Sequence, residues 1–242
     1  MQSALYVTLS AQVALERRMN TVANNVANMN TAGFRADEVT FESLISTAGR
    51  APVSFVSQGE DFISRQAGPV TETGNSLDVA VRGESWFSIQ MPEGVRYTRD
   101  GRMTITEAGD IMTVTGYPVL DAGGGPLVVD PLGGDIVVAS DGTVSQGGNM
   151  IGAIGLFMIA PGAQILRAGD SAIEAPAQSV QPVQDFVNNG VLQGYVEGAN
   201  VNPVVEMTRL IMVQRQFEQA ASATSDMEGA FGEAIRTLGP SS

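Results

Sequence analysis

Two stretches at opposite ends of the chain carry apolar residues at helical spacing. Near the N-terminus the apolar residues recur at intervals of four and three, at Leu15, Met19, Val22, Val26 and Met29. This narrow seam predicts a helix that runs to about residue 30, followed by a left-handed cap at Gly33. Leu5 and Leu9 extend the seam less regularly.

The C-terminal stretch begins with a helix start signal. Asn202 suits the N-cap, and Pro203 suits the first helical position because its missing N–H has no intrahelical partner there. A three–four alternation follows at Met207, Leu210, Gln214, Phe217, Ala221, Thr224, Glu228, Phe231, Ile235 and Leu238. We predict a helix of about 36 residues, roughly 54 Å long. Such long helices need a partner for their stripes, so we expect the two to pair as a coiled coil.

The middle of the chain alternates with a period of two, which is typical of short half-buried strands. Leu77, Val79 and Val81 alternate with less apolar neighbours, and Asp100-Gly101 gives a hairpin signal between two strand-like runs. The sequence therefore predicts a discontinuous α+β fold whose central β-rich domain is a small sandwich or an open barrel.

The predicted elements divide the chain into five segments. They are an N-terminal helix (1–33), an extended linker (34–74), a β-rich domain (75–180), a return linker (181–201) and a C-terminal helix (202–242).

Composition excludes several classes of function. The chain has 242 residues, 43% hydrophobic and 16% charged, and a formal net charge of −13, which argues against a nucleic-acid partner. It has no Cys and no His, and all 13 basic residues are Arg. Ordinary zinc or copper sites, Schiff bases and P-loops therefore lack their ligands or amines. We expect no catalytic residue, cofactor, metal or small-molecule substrate.

Two further patterns bear on membranes and export. Residues 1–6 lack a basic region followed by an apolar stretch, so we expect no cleavable signal peptide. The longest nearly apolar run, residues 150–160, is too short to span a bilayer, so we expect no membrane insertion.

Carboxylates are the one remaining source of chemistry. Pairs such as Glu60 with Asp61, or Asp130 with Asp135, are candidates for acid–base work, although surface solvation explains most acids in so acidic a chain. Gly123-Gly124-Gly125 is interpreted as a turn and not as a phosphate cradle, because no Lys-Ser/Thr and no helix start follow it.

Four asparagines, Asn20, Asn24, Asn25 and Asn28, crowd what we predict to be the exposed flank of the first helix. They form either a plain polar face or a set of amides that bind neighbouring subunits. The paired terminal seams likewise fit an intramolecular coiled coil, membrane-surface helices or a polymerisation stalk, and periodicity alone leaves these three open.

Two signatures at opposite ends resemble those of the flagellar axial proteins, the family of rod and hook subunits. Residues 22–35, VANNVANMNTAGFR, are similar to its N-terminal signature, and residues 194–203, GYVEGANVNP, to its C-terminal one, together with residues 205–208 and 214–218. The middle of the chain matches at residues 75–81, 86–87, 97–101 and 116–119. Three positions, Ala32, Val205 and Met212, depart from the pattern, the last two by making the final helix more apolar.

The resemblance implies a structural subunit of the bacterial flagellar basal body. It implies an inner coiled-coil domain made by the terminal helices, an outward β-domain, and export through the flagellar type III apparatus to the periplasmic rod. The implied partners are other rod proteins and copies of the chain itself. Length and residues 154–170 look most like a proximal-rod member. A distal-rod member, a soluble adapter and a carboxylate-dependent peptidoglycan-acting enzyme remain alternatives.

We therefore expect residues 5–29 and 204–238 to pair within one subunit and their remaining apolar and amide positions to pack against neighbouring subunits. Such contacts are heterologous and repeat helically, which lets the rod transmit torque. The residues predicted to serve self-assembly are Leu15, Met19, Val22, Asn24, Asn25, Val26, Asn28, Met29, Gly33, Phe34, Asn200, Asn202, Met207, Leu210, Gln214, Phe217, Phe231 and Ile235.

Overall fold

The computed structural model describes residues 2–41, 43–46, 53–57 and 59–238. Within these ranges the chain has two α-helices, nineteen short strands and a 3₁₀ turn at Ala177–Ser179. In chain order the elements are α1 (Gln2–Ala27), β1 (Asp37–Thr40), β2 (Ser43–Ser46), β3 (Val53–Val56), β4 (Glu60–Ile63), β5 (Val70–Glu72), β6 (Val79–Arg82), β7 (Trp86–Met91), β8 (Gly94–Thr98), β9 (Met103–Ile105), β10 (Ile111–Thr113), β11 (Ile136–Val138), β12 (Thr143–Gln146), β13 (Asn149–Ala153), β14 (Leu156–Ile159), β15 (Leu166–Gly169), β16 (Ala172–Glu174), β17 (Val180–Pro182), β18 (Gly190–Gln193), β19 (Tyr195–Glu197) and α2 (Pro203–Leu238).

The chain divides into two compact units. The terminal unit consists of Met1–Ala27, Asp37–Asp61 and Asn202–Ser242, and the central unit consists of Asn28–Ala36 and Phe62–Val201. Both units are therefore built from segments far apart in sequence, as the predicted discontinuous fold requires.

In the terminal unit, α1 and α2 lie against each other, and α1 also packs on β1 and β3. The start of α2 follows the predicted signal, since the Oδ1 atom of Asn202 accepts hydrogen bonds from the N–H groups of Val204 at 3.1 Å and Val205 at 3.2 Å. These two donors have no intrahelical acceptor, so Asn202 is the N-cap of α2. No described helix is long and apolar enough to cross a membrane.

The central unit is built on antiparallel strands. A six-stranded sheet has the order β15-β16-β8-β7-β14-β17, and a three-stranded sheet has the order β11-β12-β13. Two-stranded sheets form from β9 and β10, β6 and β18, and β5 and β19. β2 pairs with β3 in the terminal unit, and β1 pairs with β4. The largest apolar core includes Phe87, Ile89, Val119 and Val144, and a smaller one surrounds Trp86.

The structure bears out the α+β class and shows no closed barrel among the described strands. The predicted linkers differ from plain extended chain, because residues 34–74 contain five strands and residues 181–201 contain β18 and β19.

The hairpin predicted at Asp100-Gly101 is wrong, because β8 and β9 belong to different sheets. The Gly101 carbonyl accepts a hydrogen bond from the Val79 N–H at 2.9 Å, and a Cβ at position 101 would lie 1.7 Å from the Val79 oxygen. This glycine therefore allows a close approach of two backbones and does not turn a hairpin.

Candidate assembly surface

The segments that flank the two helices are bound to each other within the central unit. The Gly33 N–H donates to the Glu197 carbonyl at 2.8 Å, and the Asn200 N–H donates to the Phe34 carbonyl at 3.2 Å. The side-chain oxygen of Asn200 accepts from the Ala36 N–H at 2.6 Å. These contacts join residues 33–36 to residues 197–200, and we call this arrangement the clasp. It brings together the two signatures that lie at opposite ends of the sequence.

A buried charge cluster lies beside the clasp. The side chains of Arg35 and Glu197 are each 1% exposed and that of Arg99 is 2% exposed. One carboxylate oxygen of Glu197 lies 2.7 Å from Nη2 of Arg35, and the other lies 3.5 Å from Nε of Arg99. Both guanidinium carbons lie within 6 Å of the Trp86 ring centre, at 5.7 and 5.5 Å. Each is therefore placed for a cation–π contact.

Glu197 has to compensate two cations. Burial lowers the pKa of Arg99 to about 10, and the Glu197 carboxylate opposes this shift. Burial also lowers the pKa of Arg35, again against the attraction of Glu197. The desolvation of the two guanidinium groups therefore costs more free energy than their attraction to one carboxylate offsets. Removing that carboxylate would leave the cost without compensation.

Gly33 closes the clasp in a conformation that other residues rarely adopt. Its φ is +66°, and a Cβ built on it would lie 2.2 Å from the Asp100 nitrogen. Gly33 is left-handed as predicted, but it does not cap α1, which ends six residues earlier at Ala27. Its conformation serves the contact with residue 197, and the close backbone of Asp100 leaves no room for a side chain.

We expect Gly33→Ala to lower the free energy of unfolding by roughly 2–4 kcal/mol, because it adds a left-handed penalty and a backbone clash. Gly116→Ala is the matched control, since Gly116 has φ +88° but nothing within 4 Å of an added Cβ. It should cost only about 1 kcal/mol. If urea unfolding shows the same loss of unfolding free energy for both variants, the close backbone approach at Gly33 does not contribute to stability.

The asparagines in and just after α1 correct one expectation. Asn25 is only 3% exposed, not on an exposed flank, and its amide both donates to the Asp37 carbonyl and accepts from the Asp37 N–H at 2.8 Å. Asn24 donates to the Asp37 carboxylate at 2.5 Å. Asn28 accepts from the Thr31 hydroxyl at 3.2 Å. These amides bind their own chain, because they satisfy polar groups that packing would otherwise leave unpaired. Their predicted role between subunits stays a prediction.

The buried side of α2 differs from the predicted seam by one residue at two positions, while Leu210 and Phe217 are half-buried as predicted. Met207 is 45% exposed and Gln214 is also exposed, whereas the neighbouring Glu206 and Val213 are buried. Glu206 tolerates burial because one of its carboxylate oxygens pairs with Arg209 at 2.5 Å. Apolar spacing alone does not reveal such a charged position.

The other predicted residues fall on both sides of this boundary. Val22 and Phe34 are buried and Asn202 is exposed. The half-buried ones are Leu15, Met19, Val26, Met29, Asn200, Leu210 and Phe217. The side chains of Phe231 and Ile235 lie outside the described residues.

The exposed face of α2 is unusually apolar near its start. Val204, Val205, Ile211 and Met212 are all exposed at helical spacings of one, seven and eight residues from the first. With Thr208 and Arg215, which share this face, they form the α2 stripe (Val204, Val205, Thr208, Ile211, Met212 and Arg215). A row of exposed apolar side chains marks an interaction surface.

A second exposed row lies on α1. Tyr6, Leu9 and Val13 are exposed at intervals of three and four residues, and we call them the α1 stripe. Of the α1 stripe, only Leu9 was predicted from the sequence, as an extension of the seam between the helices and not as part of an exposed row. Two residues of the α2 stripe, Val205 and Met212, were already noted in the sequence as making the final helix more apolar.

One carboxylate of each pair proposed from the sequence serves a structural contact. Asp61 forms a bidentate pair with Arg17, with Nη2 and Oδ2 at 2.5 Å. Asp130 accepts the Leu132 N–H at 2.9 Å. Among the described residues no group of three or more acids, histidines or cysteines is placed to hold a metal ion.

Three family models match the chain. Residues 5–35 match the model described as Flagella basal body rod protein, and residues 80–146 match Flagellar hook protein FlgE/F/G D1 domain. Residues 192–237 match Flagellar basal body rod FlgEFG protein C-terminal. The first and last of these matches contain the two segments of the clasp almost entirely.

Full-length relatives agree with the models. The chain is similar to the flagellar basal-body rod protein FlgF of Mesorhizobium japonicum, at 49% identity over all of both chains. It is 45% identical to the FlgF protein of Rhizobium meliloti, again over all of both chains. It is 38% identical to that of Caulobacter vibrioides over 99% of each chain.

Proposed function

This chain belongs to the family of flagellar basal-body rod proteins, and from that premise we propose that it assembles helically into the proximal rod through its two terminal helices. It is a structural subunit of the basal body and not an enzyme, so the peptidoglycan-acting alternative is set aside. The resemblance drawn from the two signatures is confirmed, and the relatives carry the name of the proximal-rod member FlgF that its length had suggested.

The observation that carries the assembly proposal is the pair of exposed apolar stripes on α1 and α2. Apolar surface in contact with water costs free energy in proportion to its area, about 25 cal/mol per Å². A neighbouring subunit that covers the stripes recovers that free energy. The stripes lie on helices that contact each other, which supports a coiled-coil pairing inside the subunit and leaves the stripes for neighbours.

The mode of assembly follows from the lack of symmetry between the surfaces. The α1 and α2 stripes differ in sequence. A contact between the α1 stripe of one subunit and the α2 stripe of the next is therefore heterologous. Heterologous contacts that do not close on themselves generate a helical wall. Many such packed contacts, and no chemical step, transmit torque along it. The predicted inner position of the helices in the rod belongs to this proposal.

The exposed apolar stripes also support the proposed export of the chain to the rod. Stripes that are covered only on assembly contribute no burial before it, so the terminal unit is less stable in the free chain and unfolds more readily for transit. We therefore include export through the flagellar type III apparatus, periplasmic location, and other rod proteins as partners. An image of basal bodies from a strain without this chain tests the position, since loss of the rod beyond its base supports the proximal assignment and loss of only the far part supports a distal one.

We expect Ile211→Asp to abolish incorporation into basal bodies while leaving the subunit folded. Ile211 is 52% exposed at the middle of the α2 stripe, so a carboxylate there is solvated in the free subunit but buried without a partner in the assembly. Ile211→Leu is the control because it keeps an apolar side chain of the same size. The amount of the chain in isolated basal bodies is measured beside the melting temperature of the purified protein.

Normal incorporation of Ile211→Asp would contradict the proposal. A lowered melting temperature without incorporation would assign Ile211 to the fold of the subunit and not to a contact between subunits.

A further inference from the structure

A polar cavity lies within the terminal unit, beside the start of α2. Its volume is about 280 Å³. It is lined by Arg18, Thr21, Val22, Asn25, Asp37, Glu38, Val39, Glu206 and Arg209. Three of these side chains are acidic and two are basic, so the lining carries an excess of one negative charge.

Glu206 gives this cavity a buried carboxylate. The residue is only 6% exposed, and its Oε1 atom pairs with Nη1 of Arg209 at 2.5 Å. Its Oε2 atom is buried and has no hydrogen-bond donor among the residues that the structure describes. A buried carboxylate oxygen without a donor is costly, since an ionised carboxylate accepts up to about four hydrogen bonds. The lining therefore holds one buried acceptor without a donor.

We propose that the cavity binds the guanidinium group of Arg215 from a second copy of this chain. The proposal rests on the assembly proposed above and identifies one of its contacts. The chain has no lysine, so every cationic side chain that a second copy can offer is an arginine. A planar guanidinium donates two parallel hydrogen bonds to a carboxylate, and one such group neutralises the excess charge of the lining.

Arg215 is an arginine that fits the requirements. It is exposed, has no ion-pair partner among the described residues, and follows Ile211 and Met212 on the α2 stripe. It is therefore part of the surface proposed to face neighbours. Arg17 and Arg209 already pair with carboxylates, and Arg18 lines the cavity itself.

The helix geometry requires a second copy. Arg215 lies nine residues after Glu206, which places it about 13.5 Å further along α2 and turned by about 180° around its axis. The guanidinium of one subunit thus points away from the cavity of the same subunit. A contact between Arg215 of one copy and the cavity of the next is heterologous and repeats, as the rod requires.

Cross-linking in isolated basal bodies tests which chain occupies the cavity. The chain has no cysteine, so cysteines placed by Glu38→Cys at the cavity and Gln219→Cys one turn beyond Arg215 are unique. A short bismaleimide should join them between copies and give dimers and longer products, while either single variant gives none. Thr237→Cys replaces Gln219→Cys in the control pair. No product, a product with another rod protein, or an equal product from the control pair overturns the proposal.

A double-mutant cycle tests the contact itself. Glu206→Gln keeps the shape of the side chain and removes its charge, and we expect it to reduce incorporation roughly tenfold or more. Arg215→Gln should have the same effect, and the double variant should be no worse than either single one. Glu218→Gln, an exposed acid on the same helix, is the control and should incorporate normally.

The outcomes separate the two proposals. If Glu206→Gln and Arg215→Gln incorporate like the unchanged chain while Ile211→Asp does not, the assembly surface stands and the cavity contact is overturned. If Ile211→Asp incorporates, the assembly surface itself fails. If Glu206→Gln melts early in circular dichroism, Arg215→Gln decides alone, because that side chain is exposed in the free subunit.

Discussion

Glu197→Ala is expected to lower the free energy of unfolding of the central unit by about 3–5 kcal/mol, because it removes the carboxylate that pairs with two buried guanidinium groups. It also removes the acceptor of the Gly68 N–H, which lies 3.0 Å from the carboxylate. At neutral pH Arg99 stays protonated even with its pKa lowered to about 10, so it cannot escape the loss by neutralisation.

Trp86 gives a direct readout of this loss. It is the single tryptophan of the chain, and both guanidinium groups of the cluster lie against its ring. Urea unfolding followed by its fluorescence therefore reports on the central unit. Glu174→Ala is the control, because Glu174 forms an ion pair with Arg96 at 3.3 Å but its side chain is half exposed. Exposed pairs contribute at most about 1 kcal/mol. Similar losses for both variants would contradict the role assigned to burial.

Val213→Asp is expected to lower the free energy of unfolding of the terminal unit by about 3–5 kcal/mol and to prevent incorporation into the rod. Val213 is 2% exposed on the side of α2 that is buried within the subunit. A carboxylate at this buried position is either desolvated or reaches water only if the packing of the helices opens. Loss of helical signal in thermal melts measures the effect.

The comparison with Ile211→Asp makes this prediction specific. The two positions are two residues apart on one helix and receive the same side chain, but one is buried and the other is exposed. We expect Val213→Asp to fail by unfolding and Ile211→Asp to fail by assembly alone. If both variants melt at the temperature of the unchanged chain, the buried side of α2 has been assigned to the wrong face.

Several features could be predicted from local sequence because their causes are local. The bounds of α2 follow from Asn202, Pro203 and the apolar spacing after them, and α1 ends three residues before its predicted limit. The left-handed conformation of Gly33 was predicted as a helix cap, whereas the structure ties it to contacts with Glu197 and Asp100. The two signatures also identified the family, since each is a specific run of residues and not a general pattern.

Contacts between distant residues could not be predicted in this way. Asp100-Gly101 has the composition of a hairpin turn, yet the approach of Val79 decides its conformation. The asparagines of α1 looked like an exposed row until Asp37 was placed beside them.

The sequence by itself determined two long terminal helices, a β-rich middle and membership in a rod-protein family, because periodicity, caps and motifs act over neighbouring residues. Only the tertiary structure decided which face of α2 is buried and that Arg35, Arg99 and Glu197 share one buried cluster. The physical reason is that a charged side chain is buried only where the fold brings a partner of opposite charge beside it. That partner can lie more than a hundred residues away, as Glu197 does from Arg35.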